Sequence, residues 1–365
     1  MPEEKRLFVA VSPHVRDRAT VPSIMLTVLY ALLPVVVYAI YVFGAPAALV
    51  MASCVFGAMF TEVVWKRLRE GERVQRLYVD IALLAAVLVA MALVSTQRAM
   101  LEWLFVAVLA TSVLDDMNAR KAAKKYATDW SAAVTGLLLA FCLASRTPWW
   151  VAFIGAVVAI SLGKEIFGGL GFNIFNPALV ARAILLMSWP AFLTTTVFKS
   201  LEIDAGTTAT PLALAKDKLI KSTAAYYEPL LLKNIAGCLG EVSAVLILAG
   251  GIFLIVKGII DWRIPGGYLA SVAIMSVILK VDPAFSILAG GIMLGAFFMA
   301  TDYVTSCSSP TGKIVFGVGC GLITMVLRHY SGASEAVTGA ILFMNMMAPL
   351  IDRSMRPKMY GEVKA

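Results

Sequence analysis

Histidine is almost missing: His14 and His329 are the only two in 365 residues. A histidine-based metal centre, or an intramembrane haem held by paired histidines, has almost no ligands to draw on. Cysteine is scarce as well. Cys54, Cys142, Cys238, Cys307 and Cys320 are far apart, sit mostly among apolar or small residues and form no CxxC pair. That spacing argues against a zinc site, a disulfide framework or an iron-sulfur cluster. Neither a Walker loop nor a dinucleotide fingerprint occurs, so the chain is not expected to bind NAD or oxidise ferredoxin by itself. Charge is also low: 15% of residues are charged and 60% are apolar, where soluble domains hold about 25% and 45–50%. A soluble enzyme of this composition could not coat its surface. Disorder is excluded too, because it needs much charge and few apolar residues. What is left is an all-α integral membrane protein with many spans. The 31 basic against 23 acidic residues then bear on orientation, and nucleic acid is not expected as a partner.

Apolar windows near the 17–25 residues that cross a bilayer occur at about 22–43, 45–65, 77–95, 100–115, 131–147 and 149–166, then at 175–196, 235–258, 263–279, 283–300, 313–328 and 332–350. The first is too long for a signal-peptide core and reads as a retained span. Basic residues set the threading. With the N-terminus inside, 21 of the 31 lie in inner segments, among them Lys66, Arg67, Arg69, Lys164, Lys257, Arg263 and Lys313. Nine lie outside, five of them around one long loop, and Arg182 falls within a span. Both termini are therefore expected in the cytoplasm and the loop at about 197–232 on the outer face.

Without the pair at about 77–115, five spans precede the long loop and five follow it. An odd number per half inverts the second half relative to the first, the plan of many transport proteins. The expected fold is thus about ten core helices in two inverted five-helix repeats, residues 1–196 and 233–365, joined by the 197–232 loop. A two-helix insertion at about 70–125 is added to the first. Each half has a glycine-rich interruption beside polar residues: Gly168, Gly169, Gly171, Asn173, Asn176 and Pro177 in one, Gly290, Gly291, Gly295, Thr301 and Asp302 in the other. Interrupted backbone is tolerated at membrane depth only where protein or a polar cavity satisfies it, whereas the same glycines could serve close helix packing. Lys164, Glu165, Arg182 and Asp302 fall at these breaks, where a charge must be paired, wet or functional. For Arg182 three partners stay open: a helix terminus, a carboxylate or an anionic ligand.

The outer loop contains Asp204-Ala205-Gly206-Thr207-Thr208-Ala209-Thr210-Pro211. Thr210 suits a helix N-cap and Pro211 the first helical turn. The free N–H groups of such a terminus suit a phosphate, and a capped helix without a ligand fits equally. Beyond this local reading, D-x-x-T-x-A-T resembles the flavinylation motif of the membrane subunits of Rnf and sodium-pumping NADH:quinone reductase complexes. The resemblance implies that a flavin transferase joins the phosphate of FMN to the hydroxyl of Thr210, with Asp204, Thr207 and Ala209 as recognition positions. Ser12-Pro13-His14, the run Gly168–Ala178, Leu294–Phe298 with Thr301-Asp302, and the tail Ala348–Asp352 with Arg356-Pro357 are similar to the D subunits of Rnf.

It follows from the resemblance that this is a redox subunit in the bacterial inner membrane. Its complex would pass electrons from ferredoxin to NAD+ and export Na+ or H+. Partners would be a second flavinylated subunit, membrane iron-sulfur subunits and the maturing flavin transferase. The quinone reductase relatives also imply a noncovalent riboflavin, for which Asn173 and Asn176 offer donors and acceptors; the same amides could instead satisfy the broken helix. A B subunit of the quinone reductase, and a solute or ion channel with inverted repeats, are the alternative readings.

Overall fold

A computed structural model describes residues 19–70, 129–194, 227–232, 237–331 and 336–355. The expected hairpin at about 70–125, and Asp204, Thr207, Ala209 and Thr210, lie outside these residues. Among the described residues the structure is all-helical, with no strand. Helices α1 (Val21–Phe43) and α2 (Ala45–Glu70) are followed by α3 (Ser131–Cys142), α4 (Trp149–Ile160), α5 (Pro177–Ser188) and α6 (Pro190–Thr194). From residue 227 onward come α7 (Tyr227–Leu232), α8 (Ala244–Val256), α9 (Arg263–Ile278), α10 (Pro283–Leu288), α11 (Ile292–Leu294), α12 (Pro310–Tyr330) and α13 (Ala336–Ser354).

Three of these are long and apolar enough to cross a membrane: Val21–Phe43, Ala45–Lys66 and Pro310–Tyr330. Several others are shorter than the windows that announced them. The expected span at about 131–147 is the 12-residue α3, every residue of which is buried. At 1.5 Å per residue it covers about 18 Å, little more than half of a hydrocarbon core about 30 Å thick. Apolarity cannot separate a helix wrapped in protein from one wrapped in lipid, which is why the sequence reads both as spans. The expected span at about 283–300 is likewise divided, into α10, a turn at Gly290-Gly291, and α11.

Arg182 on α5 donates to the carbonyl of Cys142, the last residue of α3, and to Cys238 Sγ at 3.8 Å. Of the partners open to it, the helix terminus is one that it takes. The second half repeats the device. Arg328 on α12 donates to the carbonyls of Ser286, Ala289 and Gly290 at 2.9, 2.8 and 2.7 Å, closing the end of α10. A cation at a helix C-terminus also opposes the negative end of the helix dipole.

Around these short helices the longer ones pack closely. Helix α2 lies against α3 and α4, and α9 against α12. At Gly136 a Cβ would stand 2.6 Å from the Cys54 carbonyl oxygen, so only glycine permits that crossing of α3 over α2. The buried core is made of Leu32, Val35, Cys54, Leu139, Phe141, Ile160, Tyr268 and Phe316 with their neighbours. All five cysteines are buried and none is in a disulfide.

In the turn between α8 and α9, Asp261 accepts from the Arg263 backbone N–H at 3.1 Å and pairs with Arg263 at 3.0 Å and Lys313 at 3.1 Å. Partial burial pushes its carboxyl up, but the hydrogen bonds from Arg263 and Lys313 outweigh this and hold it below the usual carboxylate range. A depressed folded-state value stabilises the fold above the unfolded value of about 3.9, and the contribution is lost as pH falls through the folded one. Asp261→Asn should therefore melt earlier than the parent in detergent at neutral pH. The two melting temperatures should converge as pH falls through the parent carboxyl's depressed folded-state value, where it too becomes protonated.

Candidate functional site between two broken helices

Both halves of the chain interrupt a helix in the same way. Helix α4 ends in a single π-turn, Ser161–Glu165, in which the Ile166 N–H reaches back to the Ser161 carbonyl at 3.0 Å. Gly168, Gly169 and Gly171 then take positive φ of 120°, 98° and 93°, which glycine adopts without a Cβ clash. The chain re-enters helix at Asn176-Pro177, with Asn176 Oδ1 accepting from the Ala178 N–H at 3.0 Å. In the second half α11 runs into a π-turn, Gly295–Met299, closed by Ala300 N–H to the Gly295 carbonyl at 2.8 Å. A turn follows, and α12 starts at Ser309-Pro310 with Ser309 Oγ accepting from the Gly312 N–H at 3.0 Å. Single π-turns inside helices are rare and concentrate at functional sites.

The two breaks clasp each other. Asn176 Nδ2 donates to the Met299 carbonyl at 3.1 Å, so a side chain of the first break satisfies backbone at the π-turn of the second. Asn345 on α13, its amide oriented to suit both neighbours, accepts from the Asn176 N–H at 3.1 Å and donates to the Thr305 carbonyl at 3.3 Å. Asn173 Nδ2 lies 3.4 Å from the Phe175 carbonyl, and Thr305 donates to Asp302 at 3.1 Å.

Lys164 sits in the first π-turn with 3% of its surface exposed. Its Nζ donates to Glu62 Oε1 at 2.5 Å and to Ser131 Oγ at 2.6 Å. Ser131 Oγ in turn donates to Asp129 Oδ1 at 2.8 Å. Lys66 stands 3.4 Å from Glu62 and 3.8 Å from Asp129, and Arg69 pairs with Glu165 at 2.7 Å. Three cations and three carboxylates thus meet where α2, the entry to α3 and the π-turn converge. Lys164 and Glu165 are buried and paired here. Glu62, Lys66, Asp129 and Ser131 were not foreseen as their partners. One signal was present: Glu62, Lys66 and Arg69 recur at positions i, i+4 and i+7, one face of a helix, and Glu62 interrupts an otherwise apolar run. The π-turns themselves carry no sequence signature.

In front of Lys164 lies a partly open cavity of about 100 Å³ between the two breaks. Its lining combines polar Lys164, Ser131, Thr135, Asn173, Asn176 and Asp302 with apolar Met25, Val28, Leu138, Leu254, Phe297 and Phe298. A largely apolar molecule with a few polar groups matches this mixed lining.

A sequence profile described as the NQR2, RnfD, RnfE family matches residues 8–101 and 70–361. The chain belongs to that family. The D subunit of the Na+-translocating ferredoxin:NAD+ oxidoreductase complex of Acetobacterium woodii is 40% identical over 99% of this chain and 97% of its own length. The D subunit of the proton-translocating ferredoxin:NAD+ oxidoreductase complex of Clostridium ljungdahlii is 34% identical over 98% and 97%. The D subunit of the ion-translocating oxidoreductase complex of Halorhodospira halophila is 39% identical over 65% of this chain and 76% of its own. The chain is a membrane protein of the NQR2, RnfD, RnfE family, and the first two relatives span the region expected to be an inserted hairpin.

Proposed function

We propose that the chain is the D-type membrane subunit of an Rnf complex, which oxidises ferredoxin, reduces NAD+ and moves Na+ or H+ outward. The similarity over almost the whole length to the D subunits of such complexes carries the reading. The motif ending at Thr210 adds the redox element, with Asp204, Thr207 and Ala209 as the recognition residues of a flavin transferase. The other Rnf subunits, a second flavinylated one and membrane iron-sulfur subunits among them, would supply the nucleotide site and clusters that this sequence lacks.

In this reading Thr210 holds FMN as a phosphoester on the outer face of the bacterial inner membrane, and both termini lie in the cytoplasm. The arrangement of charges supports the threading. Lys66, Arg69 and Lys164, all assigned to the inner side, meet in one cluster, and Arg263 and Lys313, also inner, meet at Asp261. At the opposite end of α4 from Lys164, Trp150 packs edge-on against Trp189 and Phe192 with ring centres 5.5 and 5.6 Å apart, as aromatic residues do at a membrane boundary.

The cavity between the breaks is the site we assign to a noncovalent flavin such as riboflavin. Its lining fits such a ring in kind: Asn173 and Lys164 are polar, and most of the other lining residues are apolar. Asn176 already caps α5 and binds Met299, so its part is to shape the cavity rather than to offer a full amide. The cavity is narrower than the roughly 300 Å³ of a pocket that encloses a ligand. It would therefore take the polar edge of the ring and leave the rest toward the open side. When bound, a flavin supplies one- and two-electron chemistry; the chain orients it and keeps water from its polar edge.

The test is the intact mass of the mature polypeptide from cells that make the whole complex. The expected result is the sequence mass plus one FMN less one water, with the increment on the peptide containing Thr210. An unmodified mass would overturn the redox assignment.

A further inference from the structure

We infer that Lys164 is a shared cation, linking the charge held in the cavity to the carboxylates behind it. The inference rests on the assignment of a noncovalent flavin to that cavity.

Three observations meet at this side chain. Among the described residues that line the cavity Lys164 is the only cation, and it is almost fully buried. An ammonium has three protons to donate; two go to Glu62 and Ser131, which leaves one for an occupant of the cavity. In the cluster behind Lys164 the charges balance, with Lys66, Arg69 and Lys164 against Glu62, Asp129 and Glu165, while Asp302 is the one carboxylate among the described lining residues of the cavity. A network of this kind has no spare cation.

Negative charge arriving in front of Lys164 competes with Glu62 for the same ammonium, in surroundings where attraction is far stronger than in water. The electron comes from a one-electron donor of the iron-sulfur class in a partner protein of the complex, and no bond is made or broken. One negative charge is added to the cavity, and Lys164 turns part of its hold toward it. Glu62 and Asp129 are then left with Lys66 alone, one positive charge short. That deficit draws a mobile cation or proton toward the carboxylates. Lys164 thus converts charge in the cavity into demand for a cation about one side-chain length away, with the π-turn fixing its position between the two. A differential interaction of this sort is what redox coupling requires.

The prediction is a pair of opposite shifts in the midpoint potential of the noncovalent flavin, measured by spectroelectrochemistry on the purified, assembled complex. Lys164→Gln removes the cation and should disfavour the reduced form about tenfold or more, equivalent to about 59 mV for a one-electron couple. Glu62→Gln leaves Lys164 uncompensated toward the cavity and should move the potential upward. Lys164→Arg, which keeps the charge, should stay near the parent. A residue that served only to hold the helices together would give shifts of one sign, or none. Retained flavin with an unmoved potential in both Gln variants, or shifts of the same sign, would overturn the inference while leaving the cavity assignment standing. Should the parent complex release no noncovalent flavin on denaturation, the cavity assignment fails and the inference with it.

Discussion

Thr210→Val abolishes the ultraviolet fluorescence of the denatured chain on a gel, while the chain still inserts in the membrane and the complex still assembles. This is the expected result if Thr210 Oγ carries the phosphoester, because a covalent flavin survives denaturation and a bound one does not. Valine keeps the branched shape of threonine and removes only the hydroxyl. Thr208→Val is the matched control: Thr208 occupies a variable position of D-x-x-T-x-A-T and its loss should leave the fluorescence unchanged. Electron transfer from ferredoxin to NAD+ in membranes carrying Thr210→Val should fall to background, since a chain of electron carriers with one station missing has no parallel route. Fluorescence persisting in Thr210→Val would place the attachment elsewhere.

A second large effect is expected at Arg328. Its guanidinium serves the carbonyls of Ser286, Ala289 and Gly290 at once. Arg328→Met keeps the length and apolar stem but removes every donor. Unsatisfied buried acceptors cost about 1–3 kcal/mol each. With some water reaching this half-buried site, the loss should be on the order of 2–4 kcal/mol. Thermal unfolding in detergent should show it as a lower melting temperature. Because Arg328 closes α10 just before the second break, the Gly290-Gly291 turn should also become more susceptible to limited proteolysis. An unchanged melting temperature would mean that α10 ends without help from the arginine.

Much of the architecture was readable from residue types. The low charge, the apolar windows and the two glycine-rich interruptions predicted an all-helical membrane chain with broken helices, and α1, α2 and α12 start within a few residues of their windows. The expected interruption ends at Asn176-Pro177, where Asn176 caps the helix that follows. The partners of Lys164 were not readable. Glu62 is 102 residues away in the chain, and no local pattern tells a helix which carboxylate will be pressed against its π-turn. The half-length of α3 was hidden for a related reason: buried and lipid-facing surfaces are both apolar. Arg182 showed the limit most clearly, since its three partners in prospect differ only in what the fold brings within reach of one long side chain.

Sequence alone determined the solvent of this protein, the positions where its helices must stop, and the hydroxyl proposed to be modified, because these depend on composition, on glycine and proline stereochemistry and on a contiguous motif. Tertiary structure decided that the two interruptions clasp each other around a cavity, and that one lysine stands between that cavity and a balanced set of charges. Those facts depend on distances between segments that are remote in the chain. Electrostatic attraction and hydrogen bonding act over a few ångströms in space, whatever the separation in sequence.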